Sequence, residues 1–265
     1  MKYPLSNCNS KADDYQDTGR PIAVMAKTLP HSEYLDPHSH VRDQFLYAVQ
    51  GIMQVRTAQE IFIIPPDRGV YIPAGIKHSV RMRGRVEMRT LYIEPTSGVL
   101  DNPVMLDVSD LMRELILALL EEPIEYDVEG RGGLLSKLIL HELSGAKHLS
   151  LAIKMPVDER LHRLCSALLE DPGNDQTLML WGEKLGVSER TLIRLFKKEL
   201  GLSFVTWRMR VRFQSAIEEL LQGRRITRVA FNAGYNSASA FTAAFHKEMG
   251  LVPSYYSPKE KRPSI

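Results

Sequence analysis

Between residues 21 and 95, short apolar runs such as Phe45 to Val49 and Ile61 to Ile64 are broken at close intervals by Gly, Pro and Asp. That texture predicts a sandwich or barrel of short strands. It changes after Pro103. Over 107–122, Leu111, Met112, Leu115, Ile116, Leu119 and Leu120 fall at helical spacing, and Pro123 stops the run. A second helix is predicted over 133–143. The apolar stripes of both need a partner, which marks this stretch as a connector that packs or dimerises. From Pro156 onward the pattern is helical throughout. Asp158 is placed to cap a helix running to about Glu170, ended by Asp171, Pro172 and Gly173. Four shorter helical stretches and one long one, 204–222, complete the chain, with Gly223 closing the long one.

These patterns divide the chain into a polar arm (1–20) with Asp13, Asp14 and Asp17, expected to be poorly ordered, and an all-β domain (21–100). A helical connector (101–155), an all-α domain (156–258) and a tail (259–265) follow. The expected fold is therefore two-domain, an N-terminal all-β barrel and a C-terminal all-α domain.

The all-α segment repeats itself. Ser188, Phe196, Lys198, Glu199 and Gly201 recur as Ser237, Phe245, Lys247, Glu248 and Gly250; just upstream, Gly182 and Gly186 answer to Ala230 and Gly234. Each copy reads as a helix-turn-helix. Gly182 and Ala230 are small where two helices meet, and Gly186 and Gly234 can take the positive φ of a sharp turn. Ser188 and Ser237 then cap the second helix. Leu192, Leu195 and Phe196 are placed on the core side, as are Phe241, Ala244 and Phe245. That leaves Glu189, Arg190, Thr191, Arg194 and Lys197 outward on the first recognition helix. A stretch of about 18 residues between the copies spans ~27 Å as a helix, close to the ~34 Å between successive major grooves on one DNA face.

Composition adds an asymmetry. Of 265 residues, 44% are hydrophobic and 25% charged, and the formal net charge is +2. Residues 177–265 carry 15 Lys and Arg against 7 Asp and Glu, a net of +8, while 1–176 carry a net of −6. One end alone suits an anionic partner. No apolar run approaches the ~20 residues of a membrane span. The opening residues lack a signal-peptide pattern, and Cys8 and Cys165 form no CxxC pair, so a cytoplasmic, reduced chain is expected.

Over 158–258 the chain resembles the DNA-binding domain of the AraC/XylS family of bacterial regulators. The matching positions are 188–196, 201–204, Trp207, Arg208 and Arg212, then Ala230, Gly234, Tyr235, Ser237, Ser239 to Phe241, Phe245, Gly250, Pro253 and Tyr255. The resemblance implies two helix-turn-helix units, joined by the long helix, that enter adjacent major grooves. Carried over by position, the base-reading candidates are Arg190, Thr191 and Arg194, arginine being suited to guanine O6 and N7. In the second helix the places fall to Ala238, Ser239, Thr242 and Ala243, all short. The first helix is thus expected to supply most discrimination and the second mostly backbone anchoring, with Ser188, Lys197 and Ser237 completing the DNA-facing set. Arg208, Arg210, Arg212 and Arg224 read either as solvated charge or as phosphate contacts.

The β segment holds a second constellation. His38 and His40 are two apart and share a face if they lie in one strand; Gln44 joins them if the strand continues, and His78 follows at a distance. Such a set is a usual way to hold Zn²⁺, Fe²⁺, Ni²⁺ or Mn²⁺. Over 21–95 the spacing resembles the two motifs of the cupin superfamily, with His38, His40, Gln44 and Gly51 in the first and Pro73, Gly75 and His78 in the second. Gln44 replaces the usual glutamate, Met82 the usual asparagine, and the preceding glycine sits nearer, at Gly69. Three readings stand side by side: a divalent transition metal that holds or senses an effector, a metal-free pocket whose histidines bond a small molecule, and histidines kept for structure. Arg81, Arg83, Arg85 and Arg89 suggest a solvated hairpin around Gly84.

The resulting expectation is a non-enzymatic, sequence-specific transcription regulator, activator or repressor. It would bind double-stranded promoter DNA and answer to a small molecule or metal in a cupin-like sensor domain. RNA polymerase and a second copy of the chain are candidate partners; a membrane is not. The alternative is a cupin metalloenzyme with an attached DNA-binding domain, against which the loss of the acidic ligand at Gln44 counts.

Overall fold

The computed structural model describes residues 11–66, 68–95, 100–149 and 152–257. The outer half of the arm with Cys8, and the tail at 259–265, lie outside the described residues. The chain divides into two units, 1–152 and 153–265.

In the first unit, eight strands run β1 (Ile22–Leu29), β2 (Tyr34–His38), β3 (Asp43–Arg56), β4 (Glu60–Ile64), β5 (Arg68–Ile72), β6 (His78–Ile93), β7 (Val104–Asp107) and β8 (His148–Leu149). Their hydrogen-bonded order is β1-β6-β3-β5-β7-β8, with β2 on β6 and β4 on β3. The framework is the long antiparallel pair β3 and β6. Near Ile93, β6 is flanked by β1 and β3; near His78 its partners are β2 and β3. The pair is bent where its register shifts between Ala48 and Ile52. Gly51 sits there at φ 84°, and a Cβ on it would lie 2.3 Å from the Arg85 carbonyl oxygen. A bulge at a residue that must be glycine turns both strands at once. The segment around Gly84 is accordingly the middle of one bent strand rather than a hairpin. Of its arginines, Arg81 and Arg85 are exposed, Arg83 donates to Gln54 Oε1 at 2.8 Å, and Arg89 is buried.

Two helices cover one face of this sheet. α1 (Asp110–Leu119) begins where the Ser109 hydroxyl accepts from the Met112 N–H. It starts three residues later than the periodicity suggests because Val104–Asp107 pairs with β5 first. α2 spans Arg131–Gly145. Met112 and Ile116 of α1 and Ile139 and Leu143 of α2 share a core with Phe45, Tyr47, Leu91 and Ile93. The apolar stripes of the connector thus find their partner in the sheet, each buried side chain contributing about 1.5–3 kcal/mol. The described half of the arm is tied down as well. Residues Ala12–Tyr15 make a 3-10 turn, Tyr15 stacks on Tyr92, and the buried Arg42 donates to the Thr18 and Arg20 carbonyls.

The second unit is helical: α3 (Glu159–Glu170), α4 (Leu178–Leu185), α5 (Glu189–Leu195, prolonged by a π-turn over Phe196–Leu200), α6 (Phe204–Leu221), α7 (Ile226–Asn232) and α8 (Ala238–Met249). Side-chain oxygens of Asp158, Thr177, Ser188, Ser203 and Ser237 cap five of these. α6 divides the core between its two ends. Its first half packs Phe204 and Trp207 on Phe196, and its second packs Phe213 on Phe241, Phe245 and Tyr235. Each helix-turn-helix therefore has its own aromatic core on one rigid rod of 18 residues.

Candidate functional site

Both turns have the geometry that a helix-turn-helix requires. Gly186 ends α4 at φ 67° and Gly234 follows α7 at φ 81°, a region that disfavours any residue with a Cβ. Gly182 has no room for a side chain, since a Cβ would lie 2.6 Å from the Val187 carbonyl oxygen, and its counterpart Ala230 is buried. Ser188 Oγ accepts from the Thr191 N–H and Ser237 Oγ from the Ala240 N–H, each at 3.2 Å. The two hydroxyls are thereby committed to starting α5 and α8.

On α5, Leu192 and Leu195 are buried, with Phe196 just beyond; Arg190, Arg194 and Lys197 are exposed, and Thr191 is half-buried with its hydroxyl 2.9 Å from that of Ser188. On α8, Phe241, Phe245 and Met249 are buried, Ser239 and Ala243 exposed, and Ala238 and Thr242 half-buried. Several exposed positions lie outside the DNA-facing set expected from the sequence: Ile193 and Lys198 after the first turn, Arg225 and Arg228 at the start of α7, and His246 and Lys247 on α8. A helical wheel finds Ile193, because positions 190, 193, 194 and 197 share one face.

The arginines sort into two groups. Arg208 donates to the Gln176 carbonyl and lies over the Phe204 ring, Arg210 pairs with Glu248 at 2.6 Å, and Arg224 pairs with Glu219 at 3.3 Å. Arg212 reaches the carbonyls of Pro172, Asn174 and Ala233 and the Asp175 carboxylate. Arg208, Arg210 and Arg212 are thus tied internally, whereas Arg224 keeps 53% of its side chain exposed, as solvated charge would. Arg190, Arg194 and Lys197, by contrast, make no hydrogen bond or ion pair among the described residues. Guanidinium groups held out on the helix after the turn and left unpaired are available to an anionic or guanine-bearing ligand.

In the first unit, β2 ends at His38, so His40 sits in the following loop and Gln44 in the next strand. The cluster forms anyway, for a different reason than a shared strand face. His38 is the cross-strand neighbour of His78, with ring centroids 4.6 Å apart, and the loop brings the His40 ring to 4.9 Å from that of His38. One ring nitrogen from each of the three lies within 4.8 Å of the others. Bonds of about 2.1 Å to a metal require nitrogens no more than about 4.2 Å apart, so the three rings must draw slightly closer to hold one. Nδ1 of His38 faces the Asp36 carbonyl and Nδ1 of His78 the Ile76 carbonyl at 3.0 Å. Donation to those carbonyls leaves each Nε2 with a lone pair, the arrangement that orients ligating histidines.

Burial, assisted by the neighbouring His38 and His78, lowers the His40 pKa to about 4. Burial likewise lowers that of His78 to about 4, with His38 adding to it and the bond to Ile76 opposing it. Both rings are therefore neutral at pH 7, as ligands must be. Two further observations fit a bound group: His78 Nε2 and Gln44 Oε1 are buried with no hydrogen-bond partner. Gln44 Nε2 instead lies 3.2 Å from His40 Nε2. Turning that amide over would present its oxygen to the cluster. Tyr92, opposite Gln44 and 5.2 Å from the His40 ring, and Thr90, with a buried and unpartnered hydroxyl, were missed in the sequence. Alternation along β6 from His78 points to both.

Residues 181–258 match the family model described as a helix-turn-helix domain, and 25–94 match that of the cupin domain. The chain is similar to the transcriptional regulator NimR of Escherichia coli (strain K12), 29% identical over 83% of this chain and 81% of that one. RipA of Corynebacterium glutamicum is 32% identical over 39% of this chain and 31% of its own length. Among solved structures, ToxT of Vibrio cholerae covers 89% of this chain and 98% of its own at 11% identity and a TM-score of 0.38. A cupin match followed on the same chain by a helix-turn-helix match, over a span that also aligns with a transcriptional regulator, marks this protein as a transcriptional regulator of the kind that the resemblance to the AraC/XylS family implies.

Proposed function

We propose that the protein regulates transcription by placing α5 and α8 in adjacent major grooves of promoter DNA, under the control of a group bound at the histidine cluster. The observation that carries the first half is the sorting of the arginines. Arg208, Arg210 and Arg212 of α6 are spent on internal contacts, whereas Arg190 and Arg194 stand exposed and, among the described residues, unpaired on the helix that follows the turn. In this reading Arg190, Thr191 and Arg194 read bases, and Ser239 and Thr242 with the N-terminus of α8 hold the backbone. Lys197 neutralises phosphate, and Ser188, Ser237 and Ala238 set the approach of the two helices.

His38, His40 and His78, with Gln44 Oε1 as a fourth donor, would hold a divalent transition metal: zinc, iron, nickel or manganese. A bound metal would supply a Lewis-acidic centre for an effector or would itself be the signal. Gln44, which offers neither the negative charge nor the base of a glutamate, supports a sensor over a catalyst. The bound group must favour one arrangement of the protein over another to switch activation or repression. The reading places the protein in the cytoplasm, with RNA polymerase as a further partner. No helix among the described residues is long and apolar enough to cross a membrane. Leu134 and Leu138, 61% and 52% exposed and one turn apart on α2, support a second copy of the chain as a partner.

Selection of bound fragments from genomic DNA by the full chain, against excess random duplex at fixed salt, tests the proposal. One recurrent sequence is expected; recovery no better than the input overturns it.

A further inference from the structure

The outward face of α5 is not uniformly polar. At 100° per residue, Arg190, Ile193, Arg194 and Lys197 fall within an arc of about 100°, opposite the buried Leu192, Leu195 and Phe196. Ile193 is 55% exposed, beside Arg190 and Arg194, which are unpaired among the described residues. More than half exposed, this β-branched apolar side chain is not among the buried side chains of the unit's core. In the major groove the thymine C5-methyl is the apolar group that a base pair presents. Over the edge of guanine, adenine or cytosine, an isoleucine would cover donors and acceptors without pairing them, which is costly. We infer that Ile193 is a specificity-determining residue that selects thymine through its 5-methyl group, beside the base pairs read by Arg190 and Arg194. This rests on the reading of α5 as a recognition helix and adds to it a base that no arginine can choose.

The experiment takes the DNA sequence selected by the full chain and replaces each thymine singly by deoxyuridine, which removes the methyl group and nothing else. One thymine in the half-site contacted by α5 should then bind about four-fold more weakly, the worth of one buried methyl. In Ile193→Ala, which alters an exposed side chain, that same replacement should change affinity by less than about 1.5-fold, on the same scale. Unchanged affinity at every deoxyuridine position, with Arg194→Ala still relaxing specificity, overturns the role of Ile193 and leaves the DNA reading intact. An equal deoxyuridine effect in Ile193→Ala overturns it too. A chain that selects no duplex sequence overturns both.

Discussion

Gly186 and Gly234 occupy the same place in the two turns, and the structure predicts that replacing them by alanine has unequal consequences. Both have positive φ, so either alanine carries the left-handed penalty of about 1–2 kcal/mol. At Gly186 a Cβ meets nothing within 4 Å. At Gly234 it would lie 2.5 Å from Arg212 Nη1 and 3.2 Å from Cζ. The guanidinium must then leave the carbonyls of Pro172, Asn174 and Ala233. Hydrogen bonds to a charged partner contribute about 1.5–3 kcal/mol each. The Asp175 contact adds little, because that carboxylate is 83% exposed. With partial re-formation of the bonds, Gly234→Ala should cost about 3–5 kcal/mol in total against 1–2 for Gly186→Ala. The assay is urea unfolding of the full chain followed by tryptophan fluorescence. Both tryptophans of the chain, Trp181 and Trp207, lie in the second unit, so the signal reports that unit alone. An m-value of about 2 kcal/mol/M puts the two midpoints roughly 1 M apart. Equal midpoints refute the reasoning, as does an extra cost at Gly234 that persists when Arg212 is already alanine.

Three other outcomes are expected. Arg194→Ala should lower discrimination at one base pair by about 1–3 kcal/mol, a five- to 150-fold effect in competition binding, whereas Ser239→Ala should change affinity with little effect on preference. Gln44→Glu restores an anionic oxygen beside three neutral imidazoles and should tighten Zn²⁺ binding at least about ten-fold in chelator competition; unchanged or weaker binding removes Gln44 from the ligand set. His38→Ala combined with His78→Ala should abolish stoichiometric metal in elemental analysis of the purified protein while leaving the tryptophan unfolding midpoint in place.

How much of this could be read from the chain depends on how local each constraint is. The helix-turn-helix pair was legible because its serine caps and its positive-φ glycines are decided within a few residues of sequence. The histidine cluster was legible in content but not in construction. Strand periodicity put His38 and His40 on one face, whereas β2 stops at His38 and the cross-strand pairing with His78 brings the rings together. The arginines defeated sequence reasoning twice. Around Gly84 they resembled a polar hairpin, although Val80, Met82, Val86 and Met88 alternate as the buried face of one bulged strand. On α6, nothing in the local pattern tells Arg212, enclosed by carbonyls from two loops, from the free Arg194; the partners lie 21 to 40 residues away. Ile193 was passed over because an apolar residue in a helix is read as core by default.

Recognition of this kind requires two similar helices to meet consecutive major grooves of one duplex. Guanine-N7 methylation interference with the full chain on its selected sequence tests that directly. Two clusters of interfering guanines, centred about 10–10.5 base pairs apart on one face of the helix, are predicted, and the cluster assigned to α5 should vanish in Arg190→Ala with Arg194→Ala. A single cluster, or interference spread evenly along the fragment, would contradict it.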